Sequence, residues 1–166
     1  MSQSSNAAGF LKELEAEAIA TRKCLENIPA SKFDFKPHPS SMNMGYLALL
    51  VAEIPMWIQV MIEDTEIDFA TFQHAEVKDT KELVAYFDKS MAGAKKALEN
   101  ASPETMEKTF YLKAHGKELF SEKIADYIGP TINHWVHHRG QLTVYMRIAE
   151  IPVPSIYGPS GDDKNY

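Results

Sequence analysis

Apolar residues recur along this chain at alternating steps of three and four. Leu11, Leu14, Ala18, Thr21, Leu25 and Ile28 form one such stripe, the signature of an amphipathic helix, and Pro29 ends it. Residues 30–41 contain Pro37 and Pro39 and read as a connecting loop. A second helix is expected over about residues 41–63, with Ser40 or Ser41 as its N-cap. Leu47, Leu49, Leu50, Val51, Ile54, Trp57, Ile58 and Met61 make it apolar around much of its girth, as a central helix should be. Pro55 lies inside it. Proline lacks a backbone donor and crowds the carbonyl four residues back, which predicts a kink. Asp64, Thr65, Asp68 and Thr71 then mark a loop.

Leu83, Tyr86, Phe87, Ala94, Ala97 and Leu98 give the apolar face of a third helix over about 80–100, with Pro103 just beyond it. Residues 109–112, a His115-Gly116 turn and residues 118–120 read as a short hairpin or extended crossover. A fourth helix is expected from near 121 to about 150, carrying Ile132, Val136, Leu142, Val144, Tyr145 and Ile148, with Gly129-Pro130 bending or interrupting it. Prolines in residues 151–160 exclude helix there. No internal repeat is present. The pattern predicts one all-α domain over residues 1–166: a four-helix bundle with a long crossover connection. The polar residues 1–6 are expected to be flexible, and the Pro-rich stretch 151–166 to pack on the bundle.

Composition narrows the partners. With 45% hydrophobic and 24% charged residues and a net charge of -6, the chain has the profile of an ordinary globular protein. The acidic balance argues against a nucleic-acid surface and against an anionic membrane. No apolar run is expected to be long enough to span a bilayer, and the polar start lacks an apolar signal core. A cytoplasmic location follows as the expectation. Cys24 is the single cysteine, so no intrachain disulfide framework exists. Its place in a helical stripe favours a packed small residue over a nucleophile.

The chemistry concentrates in residues 133–142, which contain His134, His137, His138, Arg139, Gly140 and Gln141. His134 and His138 stand one helical turn apart, a rise of roughly 6 Å, so both imidazoles share a face. Two imidazoles can chelate one transition metal, but a structural or catalytic zinc needs at least three protein ligands. His137 flanks the pair and reads as a surface residue or one that supports the pair from outside. Arg139 is a candidate clamp for an anionic substrate group, with ion pairing or helix packing as the plainer role. Gly140 in mid-helix costs about 1 kcal/mol relative to alanine; close approach of a neighbouring helix would explain it. Gln141 and Tyr145 extend the histidine face. Tyr145 is a candidate ligand-orienting or proton-donating group, with core packing as the alternative. Trp57 and Trp135 read as core or interface aromatics.

The run from His134 to Gln141 resembles the signature of the DinB family of four-helix-bundle proteins. Residues 153–160 resemble the ending of many members, and Met44-Gly45-Tyr46-Leu47 through Pro55-Met56-Trp57 is similar to the family's second helix. The resemblance covers about residues 10–162. It implies a divalent metal, zinc or nickel, held by three histidines, two of them matching His134 and His138. The third, on the second helix, falls on Leu50, which has no lone pair to donate. Glu53, one turn along, is a candidate replacement, and His38, His74 or His115 could approach from loops.

Two functions follow. A degenerate histidine site leaves a bundle that binds a small ligand or a partner; Met44, Trp57 and the apolar tail are compatible with a homodimer, the state the resemblance implies. The alternative is a metal-dependent thiol S-transferase, or a metal-assisted hydrolase, acting on a small electrophile. There His134 and His138 would be ligands and Tyr145 and Arg139 substrate contacts. The first reading fits Leu50 better. No contact with nucleic acid is implied.

Overall fold

Helix α1 spans Ser4–Asn27, beginning earlier than the apolar stripe. In a computed structural model the described residues are 4–165, with side chains from residue 7. Residues 4–6 of the segment expected to be flexible are thus helical, and residues 1–3 lie outside the described part. After a 3-10 turn at Ala30–Lys32, helix α2 runs from Met44 to Glu63. Its N-cap is Asn43, whose side chain accepts from Tyr46 N at 2.8 Å, not Ser40 or Ser41. The reason lies in the connection: Met44 N and Gly45 N donate to the carbonyls of Phe35 and Phe33, so the loop satisfies two of the orphan donors at the helix start and sets where the helix begins.

α2 is the central helix, with 13 of its residues buried. It corrects one expectation. Its 20 residues are long and apolar enough to cross a bilayer by length and composition, but 67% of the most apolar window is buried inside the fold. A helix surrounded by other helices is apolar on every side for that reason. α2 continues past Pro55, which cannot donate to Val51 O. The indole Nε1 of Trp135 donates to that carbonyl instead, at 2.8 Å.

Strand β1, Glu66–Asp68, forms where a loop was expected. The chain turns into it at Thr65, whose φ is 61°. Helix α3 spans Thr80–Asn100 and is capped by Asp79, which accepts from Glu82 N; Glu82 accepts in return from Lys78 N. The four-residue helix α4, Pro103–Met106, was not expected. It has proline at its first position and Ser102 as its N-cap. Strands β2, Thr109–Ala114, and β3, Lys117–Lys123, make a hairpin, the first of the two forms expected for this stretch. β1 pairs parallel to β2 on the other side, giving the order β1-β2-β3. The turn puts His115 at φ 53° and Gly116 at φ 74°, the pair of positive values that a two-residue hairpin loop requires. Asp68 holds this tip, its carboxylate accepting from His115 N and Gly116 N. Those bonds, with that from Ala70 N first in effect, keep its carboxyl below the ordinary range.

Helix α5 spans Ile124–Ile148. It starts later than expected because residues up to Lys123 still pair with β2, and it runs through Gly129-Pro130 without interruption. α1 packs on α3 and α5, and α2 packs on the same two. α1 and α2 are therefore diagonal, and residues 28–43 make the crossover between them. The bundle is predominantly α, with the small sheet at the side of α2 and α5.

The tail lies along the bundle. Asn27 Nδ2 donates to Pro152 O, Arg147 pairs with Asp162 at 2.6 Å, and Asp162 and Asp163 accept from Val153 N and Ser155 N. Cys24 is fully buried. Desolvation pushes its thiol up to about 11 against the opposing pull of Arg139, so it carries no thiolate at neutral pH.

Candidate functional site

One stripe of α5 carries Tyr127, Thr131, His134 and His138 at steps of four, three and four. The facing stripe of α2 carries Leu50, Glu53, Trp57 and Met61. Where the stripes diverge beside the sheet, they leave an apolar cavity of about 220 Å³. Its walls include Trp57, Met61, Phe110, Leu112, Tyr127 and His134. Phe110 stacks on Tyr127 with centroids 5.6 Å apart. Trp57 Nε1 is buried with no hydrogen-bond partner among the described residues, an orphaned donor at the wall.

His134 and His138 meet. Their Nε2 atoms are 2.7 Å apart, and His138 Nδ1 lies 2.8 Å from Gln141 Oε1. His134 also lies against Trp57, centroids 5.8 Å apart. Partial desolvation there, followed by the neighbouring rings of His138 and His137, lowers the pKa of His134 from its ordinary value. The neutral ring is favoured. His137 is exposed and touches His138 edge-on at 5.3 Å.

Glu53 is fully buried but does not join the pair. Its carboxylate lies 2.6 Å from His74 Nδ1 and accepts from Tyr86 OH at 3.1 Å. Those partners answer the cost of burying the carboxylate. Desolvation first, and then Glu53, raise the Tyr86 pKa well above its ordinary value. His74 in turn packs against Phe72 and Tyr46, and Phe72 meets Trp57 edge-on. Ring contacts thus run from His134 through Trp57 and Phe72 to His74. His115 sits at the hairpin tip, and His38 Nδ1 accepts from Ser40 N in the crossover.

Leu50 is buried in the core. Among the described residues no group of three His, Cys, Asp or Glu could hold a metal ion. Two nitrogens bound to one tetrahedral zinc, each at about 2.0–2.1 Å, stand about 3.3–3.4 Å apart. The 2.7 Å between the two Nε2 atoms is a hydrogen-bond distance. The two imidazoles by themselves are fewer than the three protein ligands a zinc site takes.

Arg139 points away from the histidine pair and takes up the plainer of its two expected roles, an ion pair. It is 2% exposed, pairs with Glu17 at 2.6 Å, and donates to Glu17 O, Thr21 Oγ1 and Tyr157 OH. Tyr145 lies half-buried against Phe35, rings edge-on at 6.5 Å. No chain segment approaches Gly140: a Cβ there would meet nothing within 4 Å. The close helix contact expected for it is absent among the described residues. Gly140→Ala is expected to stabilise the fold by about 1 kcal/mol through helix propensity, read as a higher midpoint in urea.

Sequence reading did not find the cavity or the Glu53 network. Tyr127, Thr131 and His134 do share a helical period, and Phe110 and Leu112 alternate along β2, but nothing local says that these two faces meet.

The sequence profile of the DinB family matches residues 1–165. The uncharacterized protein YrdA of Bacillus subtilis (strain 168) is 26% identical over 157 residues, covering 93% of this chain and 89% of that one. Among solved structures, a DinB-like protein from Bacillus cereus ATCC 10987 superposes with a TM-score of 0.68 at 22% identity, covering 90% of this chain and 97% of that one. A DinB-like protein from Bacillus subtilis gives 0.67 at 19% identity, with coverage of 87% and 95%.

Proposed function

This chain belongs to the DinB family, and from that premise we propose that it is a bundle with a degenerate histidine site that binds a small apolar molecule in the cavity beside His134. The observation that carries the reading is the cavity itself. Its wall is almost wholly apolar and aromatic, and His134 sets a polar edge beside it, the usual make-up of a small-molecule site. Leu50 supports it, since apolar bulk stands where the resemblance places a third donor. The engagement of Glu53 by His74 and Tyr86 supports it further, because recruiting Glu53 to the pair would break two hydrogen bonds to a buried carboxylate.

Titration with naphthalene-sized neutral aromatics, followed by NMR, is expected to shift the indole resonance of Trp57 and leave that of Trp135 in place. The expected Kd is about 10 µM to 1 mM for a ligand of roughly ten heavy atoms. Leu112→Trp, which fills the cavity, should abolish the shifts. Zinc and nickel should bind weakly to the unaltered protein and more tightly to Leu50→His. Stoichiometric metal binding that depends on His134, without cavity shifts, would instead favour the thiol-transferase or hydrolase reading.

A further inference from the structure

The two tryptophans differ in what their indole donors meet. Trp135 Nε1 donates to Val51 O at 2.8 Å. Trp57 Nε1 is also buried but has no acceptor among the described residues. Buried N–H groups are paired as a rule, so an orphan needs a reason. The Trp57 ring meets Phe72 edge-on at 6.3 Å and His134 at 5.8 Å, and Phe72 has no lone pair to offer. The same ring forms part of the cavity wall. No carboxylate, ammonium or guanidinium lines that cavity, so a charged ligand would lose its hydration with no countercharge. Two hydroxyls border it as well. That of Thr131 already donates to Tyr127 O at 3.0 Å; that of Tyr127 is the rival donor.

From this wall we infer that the ligand is an uncharged, bicycle-sized apolar molecule carrying one oxygen acceptor, a carbonyl or an ether, and that Trp57 Nε1 donates to it. The inference rests on the ligand-binding reading above and adds the acceptor. A hydrocarbon that fills the cavity leaves the indole N–H unpaired, whereas a ligand oxygen pairs it. Trp57 thus selects among molecules of one shape by a single hydrogen bond.

1-Indanone and indane test it, because they share a ring system and differ in the carbonyl. Indanone is expected to bind about three- to tenfold more tightly, the usual net value of one hydrogen bond. In the unaltered protein it should move the Trp57 indole proton downfield, and indane should not. The carbonyl stretch of bound indanone should fall below its value in alkane. Trp57→Phe should remove both the preference and the lowered stretch, and Tyr127→Phe should keep them. Equal affinity of the unaltered protein for the two probes overturns the acceptor requirement while leaving the cavity reading intact. A preference that survives in Trp57→Phe, or one that is lost in Tyr127→Phe, overturns the assignment to Trp57. Binding of neither probe overturns the cavity reading and this inference together.

Discussion

Arg139→Ala is expected to lose about 3–5 kcal/mol of stability, the usual cost of removing one partner from a buried ion pair. The guanidinium is 2% exposed and the Glu17 side chain 15%. Arg139 binds α1 through Glu17 and Thr21, and the tail through Tyr157. Tyr157 OH donates to Glu17 Oε2 at 2.9 Å and Thr21 Oγ1 to Glu17 O at 2.8 Å, so removing the arginine leaves both hydroxyls partnered but takes the countercharge from a largely buried carboxylate. Arg139→Met combined with Glu17→Met should recover much of the loss, since no uncompensated charge then remains. Urea denaturation measures the stability. Hydrogen exchange should show the amides of Val153 and Ser155 losing protection before the bundle does. A loss under about 1 kcal/mol, or a tail that stays protected, would mean the pair is not what joins tail to bundle.

The second large effect is at Trp135. It is fully buried, its ring lies 6.2 Å from Phe87, and its Nε1 donates to Val51 O. Trp135→Ala should cost about 3–5 kcal/mol through the cavity it leaves. Trp135→Phe keeps most of the bulk and orphans Val51 O, for about 1–3 kcal/mol. The informative comparison uses Pro55→Ala. Alanine restores a backbone N–H four residues after Val51, so the carbonyl no longer depends on the indole. In that background Trp135→Phe should cost at least about 1 kcal/mol less, a coupling that a double-mutant cycle reads directly. Strict additivity of the two substitutions would show that the indole and the proline are not linked.

This link also shows how far local pattern reaches. Pro55 is visible in the sequence as a missing donor, and Trp135 as a buried aromatic, but they are connected through the carbonyl of Val51, 84 positions from Trp135, which has no local signature. The same holds for Thr21, which sits in an apolar stripe yet is fully buried beside Arg139. Leu50 could be read as the departure from three histidines. That Glu53 is tied to His74 and Tyr86 could not, because His74 comes from a loop with no period. β1 escaped notice for a related reason. Its three residues are too few to show alternation, and they are ordered by pairing with β2 and by the bonds Asp68 makes to the hairpin tip.

By itself the sequence determined what depends on periods and on neighbours within a turn: the four long helices, the hairpin at His115-Gly116, and the shared face of His134 and His138. Those features follow from backbone geometry and from side chains three or four positions apart. The tertiary structure alone decided where the faces meet: the cavity between α2, α5 and the sheet, the partners of Glu53, and the turning of Arg139 away from the histidines. These depend on which apolar surfaces bury one another, and that choice is made by the whole chain at once.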